Sequence, residues 1–451
     1  MIQNMIKRGG LVAILIGSVF FCNTPKKIAQ QPITITDTPI TPVPMTKPII
    51  APKPVSMAKT DPFLENLLRQ YPQHFNNIIN QKDSFRLQII YTQINRKQNN
   101  QPVFTDYFFN VDPQQYFYPA STVKMPTALL ALQKLHELNL PGLDKNSTML
   151  TGSGYSGQNE VFNDPTTPDG RPSIAHYIKK IFLVSDNDAY NRLYEFLGQQ
   201  YINDKIHGMG YVRSEIIHRL ERALTEDENR HTNPINFYDV TGKILYNQPL
   251  DFNQQPHLQR NDWLGNSYYK ADKLINGPMD FSKKNRIVLE DLHQIVRSIL
   301  FPNDVPAKQR FTISPEDYHF VWKYMSQYPT ESDYPSYQLP EYWDAYCKFL
   351  YWGSEKQTLP KKFRIFNKVG DAYGFLIDAA YVVDFEKKIE YMLSAAIYCN
   401  SDGVLNDSRY DYDSIGFPFM KNLGKVIYDY EVKRKKTYIP DLSTFQIQYE
   451  K

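Results

Sequence analysis

Three consecutive stretches near the C-terminal end of the chain show the composition and alternation of neighbouring β-strands. They read KKFRIFNKVG from Lys361, FLIDAAYVVDF from Phe375 and KIEYMLSAAIYCN from Lys388. β-Branched and aromatic residues are frequent in all three, and short polar turns separate them. We therefore expect three successive strands of an antiparallel sheet, which needs a covering layer to bury its apolar face.

Two stretches early in the chain have the same character. FRLQIIYTQINR begins at Phe85 and VFTDYFFNV begins at Val103, with a polar turn around Lys97 to Gln101 between them. This arrangement is typical of two strands joined by a short connection. We expect the early and the late strands to share one antiparallel sheet.

Helical patterns fill much of the chain outside these strands. FLENLLRQYP from Phe63 reads as an opening helix, and a second helical stretch starts at Ser121. A third begins at the N-cap candidate Ser173, carries the polar letters SDND in its middle and ends near Gly198. A last helix is expected at about residues 415–430. This order predicts an α+β fold, in which an antiparallel sheet is covered by helices and packs with a helical subdomain.

The first 61 residues lack the pattern of a folded domain. A basic start precedes the eleven-residue apolar segment LVAILIGSVFF, and Cys22 follows it. Such a segment is typical of an export signal and is too short to span a bilayer comfortably. A cysteine at its end resembles a bacterial lipoprotein signal, although Phe21 stands where a small residue is usual. We expect a signal in residues 1–22, lipidation at Cys22, and a proline-rich linker in residues 23–61. Ordinary export and an uncleaved anchor are the alternatives.

The overall composition indicates neither a nucleic-acid partner nor a metal site. Lysine and arginine number 51 against 48 aspartate and glutamate residues, which gives a net charge of +3. The nine histidines show no paired zinc-ligand spacing. Cys347 and Cys399 do not form a disulfide framework in sequence and are expected to be buried. We expect no cofactor and no metal, and a monomer.

Ser121 and Lys124 stand three residues apart at the head of an apolar run. The pair alone is a weak signal, because Ser56 and Lys59 form another one in the linker. Ser121, however, follows an extended segment and begins a helix, where free N–H groups and the helix dipole favour developing negative charge. A serine at that place is most often only an N-cap. A lysine one turn on can accept the serine proton if its pKa is lowered.

Two further motifs make the pattern specific. Ser-Asp-Asn occupies residues 185–187, and Lys-Val-Gly occupies residues 368–370 at the start of a predicted strand. Ser-x-x-Lys, Ser-Asp-Asn and Lys-Thr-Gly, in this order, are the signatures of penicillin-recognising serine enzymes. The sequence resembles this superfamily, and most closely the class A β-lactamases. The resemblance implies a β-lactamase/transpeptidase-like domain over residues 62–451.

The resemblance implies a role for each side chain of the three motifs. Ser121 is the acylated nucleophile, and Lys124 accepts a proton beside it. Ser185 relays a proton towards the leaving nitrogen, and Asn187 donates to the substrate amide. Lys368 supplies positive charge near Ser185 and the substrate carboxylate. This set predicts acyl transfer through a covalent intermediate.

Backbone groups and one further asparagine complete the set that the resemblance implies. The N–H groups of Ser121 and Asp371 form the oxyanion hole. Gly370 keeps the strand bare so that a substrate can lie against it. Asn191 matches an asparagine that the family has four residues beyond the end of Ser-Asp-Asn.

The catalytic loop glutamate of the class A enzymes is matched less clearly. In those enzymes it activates the water that frees the acyl-enzyme, and an asparagine follows three residues later. Glu221, in the letters RLERAL, lies in the best-matching context, but no Glu-x-x-Asn is present. The competing candidates are Glu215, Glu226 and Glu228.

Two other departures concern the substrate site and the length of the chain. Val369 stands in place of the threonine of Lys-Thr-Gly and cannot offer a hydroxyl to a substrate carboxylate. The stretch between Ser185 and Lys368 is also longer than the family needs. Residues 242–285 resemble an insertion, and their aromatic content predicts a packed element.

We predict a serine acyl-hydrolase that cleaves β-lactam amide bonds through an acyl-enzyme at Ser121. The expected partner is a small β-lactam or a cell-wall peptide, and the expected location is periplasmic or cell-surface. A D-alanyl-D-alanine peptidase or transpeptidase is the first alternative. A non-catalytic exported binding protein on the same scaffold is the second. The complete motif side chains argue against the second alternative, whereas Val369 and the unclear loop glutamate argue for it.

Overall fold

The computed structural model describes residues 58–451. Cys22 and the rest of the predicted signal segment lie outside the described residues, as does most of the linker. The helices are α1 (Pro62–Arg69), α2 (Pro72–Asn80), α3 (Lys124–Leu138), α4 (Ile174–Val184), α5 (Asn187–Leu197), α6 (Gln199–Gly208), α7 (Glu226–Arg230), α8 (Leu289–Leu300), α9 (Pro315–Ser326) and α10 (Phe417–Lys433). Within residues 58–451, every helix is too short or too polar to span a lipid bilayer.

Strands occur early, in the middle and late in the chain. They are β1 (Gln88–Arg96), β2 (Pro102–Phe109), β3 (Thr148–Thr151), β4 (His231–Thr232), β5 (Ile235–Tyr238), β6 (Ile244–Gln248), β7 (Asp251–Phe252), β8 (Trp263–Leu264), β9 (Ser267–Lys270), β10 (Lys273–Asn276), β11 (Met279–Asp280), β12 (Phe363–Ala372), β13 (Phe375–Asp384), β14 (Ile389–Tyr398) and β15 (Val404–Leu405). The five long strands form one sheet in the order β12-β13-β14-β1-β2. All its neighbouring strands are antiparallel, which confirms the predicted sheet of early and late strands.

Helices cover both faces of this sheet. Successive side chains of a strand point to opposite faces, so Ile89 and Ile90 pack into different cores. Ile90 belongs to the larger core, which includes side chains of α3, α4, α5, α8 and α9. Ile89 belongs to the second core, with side chains of α1, α2 and α10. The α+β architecture expected from the sequence is therefore observed.

Two helix ends matter for the site. A short 3-10 helix, Ala120–Val123, precedes α3, so the helix expected to begin at Ser121 becomes α-helical only at Lys124. The stretch from Ser173 to Gly198 is two helices, because Ser185 ends α4 in the left-handed conformation with a φ of 60°. The Asp186 side chain then caps α5 by accepting the N–H of Ala189 at 2.7 Å. The Ser-Asp-Asn motif is thus the turn between two helix ends.

The region predicted to be a packed insertion forms several small sheets. β6 pairs with β5, β9 pairs with β10, and β8 pairs with β11. β15, which follows the main sheet, joins β9 in parallel. Phe281 at the end of this region is buried in the larger core, whereas Leu274 and Ile275 at the β10 strand are exposed. Elsewhere, Cys347 and Cys399 are free and buried, as expected.

Candidate active site

Ser121 is held where the 3-10 turn meets the edge strand β12. Gly370 of β12 packs so closely that a methyl group on its Cα would lie 2.7 Å from the Pro119 carbonyl oxygen and 3.0 Å from the Ser121 nitrogen. Ala120, just before the serine, has a φ of 47°, a left-handed conformation that is costly for a residue with a Cβ. The surrounding fold therefore fixes the Ser121 backbone against the bare part of β12.

Lys124 lies in the first turn of α3 and is fully buried. Its Nζ donates to the Asn187 Oδ1 at 2.5 Å, to the Ser185 Oγ at 3.2 Å and to the Ser185 carbonyl oxygen. Burial lowers the pKa of Lys124 well below its ordinary value, and the nearby positive charge of Lys368 lowers this pKa further. A buried lysine with a lowered pKa can take up a proton from a neighbouring hydroxyl.

Ser185 lies between two lysines. Lys368 of β12 donates from its Nζ to the Ser185 Oγ at 2.8 Å and to the Val369 carbonyl oxygen at 3.0 Å. Burial lowers the pKa of Lys368 to about 8, while the surrounding acidic groups oppose this shift. Because Lys124 also donates to the Ser185 Oγ, both acceptor positions of this hydroxyl are occupied. The Ser185 hydrogen is therefore free to be donated to a group bound in front of it.

These residues border a cleft with a volume of about 850 Å³, which is within the range of small-ligand sites. The predicted site residues that line it are Ser121, Ser185, Asn187, Glu221 and Asp371. The predicted residues Lys124 and Asn191 are buried behind the cleft surface, and Gly370 packs against the Ser121 turn. The structure thus brings the predicted set together around Ser121, and the catalytic roles stay predictions.

One wall of the cleft comes from a segment that the sequence analysis did not single out. The loop between α9 and β12 contributes Trp343, Tyr346 and Phe349 to the lining. Phe417 and Lys421 of α10 line the same cleft. The available signal was the aromatic density of YWDAYCKFLYW, residues 342–352. Large aromatic side chains in a long loop indicate a packed surface.

The loop that carries Glu221 is fixed by buried polar contacts. Asn191 of α5 donates from Nδ2 to the Leu220 carbonyl oxygen at 3.0 Å, and its Oδ1 accepts the Leu220 N–H at 2.9 Å. Arg219 donates from its Nε to the Glu195 carboxylate at 2.8 Å, with both side chains buried. These contacts end directly before Glu221, which has a φ of 52° and is exposed in the cleft.

The competing glutamates have other partners and do not line the cleft. Glu215 is buried and accepts the Leu258 N–H at 2.8 Å. Glu226 forms salt bridges with Lys283 and Arg230. Glu228 accepts the N–H and the hydroxyl of Thr225, both at 2.8 Å, at the start of α7. Glu221 is therefore the loop carboxylate placed to meet a group bound at Ser121.

Leu224 stands three residues after Glu221 and has no polar side chain, and the next residue is Thr225. Its hydroxyl accepts the N–H of Glu228 at 3.2 Å and completes a capping box. Because this hydroxyl is used at the helix start, it is not placed to hold a water molecule for Glu221. The Glu221 carboxylate consequently lacks a second anchoring side chain from this part of the loop.

The arrangement supports formation of a covalent ester at Ser121. A nucleophilic hydroxyl, a buried lysine of lowered pKa, a hydroxyl free to donate and a bare strand edge lie in one cleft. Backbone N–H groups at such an edge and at a helix start can stabilise the negative charge of a tetrahedral intermediate. Removing either lysine would leave the Ser185 hydroxyl without one of its two donors.

Comparison with known proteins gives one match to a family model and several to solved structures. The model described as "Beta-lactamase enzyme family" matches residues 71–430. Curated proteins gave no match. The structure of PBP-A is 16% identical, covers 84% of this chain and 100% of its own, and has a TM-score of 0.46. A beta lactamase from Xanthomonas campestris pv. campestris is 11% identical, with 80% and 98% covered and a TM-score of 0.44. A class A beta-lactamase from Clostridium kluyveri is 13% identical, with 80% and 98% covered and a TM-score of 0.43.

Proposed function

The chain belongs to the beta-lactamase enzyme family, and we propose that it hydrolyses β-lactam amide bonds through an acyl-enzyme at Ser121. The observation that carries this proposal is the Ser185 hydroxyl, which accepts from Lys368 at 2.8 Å and from Lys124 at 3.2 Å at the border of the Ser121 cleft. This arrangement leaves one hydrogen to protonate a leaving nitrogen. Such a donor is what cleavage of an amide, unlike cleavage of an activated ester, requires.

In the proposed acylation, Lys124 acts as the neutral amine that its lowered pKa favours, and it accepts the hydroxyl proton of Ser121 as Oγ forms a bond to the carbonyl carbon. The negative charge on the carbonyl oxygen is stabilised by the N–H groups of Ser121 and Asp371. The C–N bond then breaks, and Ser185 gives its proton to the nitrogen while Lys124, now protonated, replaces that proton. In deacylation, Glu221 takes a proton from water as the water oxygen bonds to the ester carbon, the bond from that carbon to the Ser121 Oγ breaks, and the proton is passed on to the Ser121 Oγ, so that both side chains return to their starting states.

A second candidate function is cleavage of a cell-wall peptide by the same acylation chemistry. The observation that favours it is the extent of the cleft, whose lining includes Ser121, the loop between α9 and β12, and Lys421 of α10. A substrate longer than a bicyclic β-lactam could contact Trp343, Tyr346 and Lys421 in this part of the cleft. The non-catalytic alternative requires that neither β-lactams nor cell-wall peptides acylate Ser121.

Time-resolved labelling with a fluorescent penicillin tests these possibilities. For the proposed hydrolase we expect a label that forms and then disappears as the acyl-enzyme turns over. A lasting label would favour the peptidase alternative, in which water attack on a penicilloyl ester is inefficient. The absence of any label from both penicillin and an activated ester would contradict the proposal.

Gly370 offers a test of how the nucleophile is positioned. In Gly370→Ala the new methyl group meets the Pro119 oxygen at 2.7 Å and the Ser121 nitrogen at 3.0 Å, so the turn must move. Because misplacement of about 1 Å costs roughly 10²-fold, we expect acylation to be about 10–100-fold slower. Gly208→Ala is the matched control, since nothing lies within 4 Å of the added methyl there. Equal acylation rates in the two variants would show that the close approach of β12 does not position Ser121.

We also propose that the protein is exported and anchored by a lipid on Cys22. The proposal rests on the basic start, the short apolar segment and the proline-rich linker of the sequence. Labelling of cells with a palmitate analogue should be lost in Cys22→Ser and retained in Cys399→Ser. A label that persists in Cys22→Ser would exclude this cysteine as the acceptor.

A further inference from the structure

Asp371 lines both cavities that Ser121 borders. It follows Gly370, where an added Cβ would lie 3.0 Å from the Ser121 nitrogen. Ser121 and Asp371 line the main cleft together, and they also line a smaller neighbouring cavity with Tyr373 and Glu221. A substrate group bound in either cavity beside Ser121 is therefore within a lining that includes Asp371.

Next to Asp371, β12 has no side chain that could donate to an anionic group, since the adjoining residues are Gly370 and Ala372. Val369 is buried in the second core and presents an apolar surface to the cleft. Lys124 and Lys368 direct their hydrogen bonds to the Ser-Asp-Asn turn and, for Lys368, to a backbone oxygen of β12. Asp371 thus adds negative charge at a place where the neighbouring side chain of the strand is apolar.

We propose that the substrate carries a cationic group, such as an ammonium or quaternary ammonium, near its acyl carbon and that the Asp371 carboxylate selects it. This inference rests on the proposed acyl-enzyme function for its rate effects. It depends on two residues of β12, the apolar Val369 in place of the threonine of Lys-Thr-Gly and the acidic Asp371, which both line the cleft. An opposite charge inside a cleft with partly buried walls interacts more strongly than on an open surface.

The charge state of Asp371 is consistent with this role. Loss of solvent around the carboxyl group raises the pKa of Asp371 to about 6 and Glu221 raises it further, whereas Lys368 and Lys124 lower it, and the residue as a whole stays exposed at the cleft surface. A carboxyl group with this pKa is mostly ionised at pH 7. No hydrogen bond contributes to the shift, so among the described residues the carboxylate keeps its acceptor positions for a ligand.

The positive side chains elsewhere in the cleft have partners of their own. Lys421 forms a salt bridge with Glu355. The Lys356 Nζ lies 4.8 Å from the centre of the Trp343 ring, a distance typical of a cation–π contact. These contacts lie in the aromatic wall of the cleft, whereas the cavity shared by Ser121, Asp371 and Glu221 is lined by no lysine or arginine among the described residues.

The first test measures acylation with two matched nitrophenyl esters. One carries a trimethylammonium group at the end of a short methylene chain, and the other is its neutral tert-butyl isostere. We expect the wild-type protein to prefer the cationic ester by about tenfold at pH 7, after correction for the uncatalysed rates. In Asp371→Asn the ratio should fall to near one, and in Asp413→Asn, which changes another carboxylate of the cleft, it should persist. A ratio near one in the wild type, or an equal fall in both variants, would overturn the assignment to Asp371.

The second test does not depend on catalysis. In the Ser121→Ala protein, equilibrium binding of the corresponding trimethylammonium amide and tert-butyl amide is measured by NMR titration. The cationic amide should bind about tenfold more tightly, and Asp371→Asn in the same background should remove the difference. Equal binding of the two amides overturns the inference. A binding preference without acylation of the Ser121 protein by either ester would support the inference and reject the proposed function.

Discussion

Replacement of Ser121 by alanine is expected to abolish covalent labelling of the protein by β-lactams and by activated esters. The hydroxyl is the nucleophile of the proposed reaction, and an alanine offers no atom that can form the ester. Loss of a nucleophile that acts together with its base commonly lowers the rate by about 10⁴-fold or more, so the label should fall below detection. Intact-protein mass spectrometry after incubation with a penicillin measures the effect directly.

Two serines serve as controls for this result. Ser56→Ala should label like the wild type, although Ser56 and Lys59 have the same spacing as Ser121 and Lys124. Ser156→Ala should also label normally, because the Ser156 hydroxyl donates to Glu228 and does not line the cleft. Peptide mapping that finds the acyl group on Ser185 or Ser156 would contradict the assignment of Ser121.

The elements of the fold could be predicted because their patterns are local. β12, β13 and β14 are rich in apolar, β-branched and aromatic residues, and each of these strands is almost entirely buried. The Ser173 cap was visible in the sequence, since a serine before an apolar run satisfies free N–H groups. The polar letters SDND indicated an interruption between two helical stretches, whereas the left-handed conformation of Ser185, with a φ of 60°, could not be read from them.

The site could be predicted only as far as short motifs reach. The three motifs contain Ser121, Ser185 and Lys368. In the structure Ser121 and Ser185 line one cleft, and Lys368 donates to the Ser185 hydroxyl. The aromatic wall around Trp343 has no motif, since its position depends on a long loop folding over the edge of β12. The acidic side chain of Asp371 was treated only as a backbone donor. Its meaning depends on distances to Ser121 and on neighbouring charges, which a sequence does not contain.

The second large effect is expected in the hydrolysis of the acyl-enzyme, which depends on the loop carboxylate Glu221. An ester at Ser121 is shielded by the cleft walls, so water needs a base close to the carbonyl carbon. Glu221 lines the cleft with Ser121, and Asn191 fixes the preceding residue through two backbone hydrogen bonds. The carboxylate itself is exposed, with a left-handed backbone, and Thr225 is committed to capping α7. A base held from one side only should position water less well than one held from both sides.

We therefore expect a burst of product equal to the amount of enzyme, followed by a slow steady rate. Glu221→Gln should keep the burst and lower the steady rate by roughly 10²-fold, the lower end of the range for loss of a general base, because the base is already imperfectly placed. Glu226→Gln is the matched control, since Glu226 pairs with Lys283 and Arg230 and does not line the cleft. Stopped-flow absorbance with a chromogenic β-lactam separates the two phases. If Glu221→Gln keeps both the burst and the steady rate, the base that activates water lies elsewhere. Lys124 then becomes the leading alternative, because it is a buried amine of lowered pKa directly after the turn that carries Ser121. If the wild type shows neither a burst nor turnover, β-lactam hydrolysis is rejected, and acylation by cell-wall peptides remains to be measured with the same Ser121→Ala control.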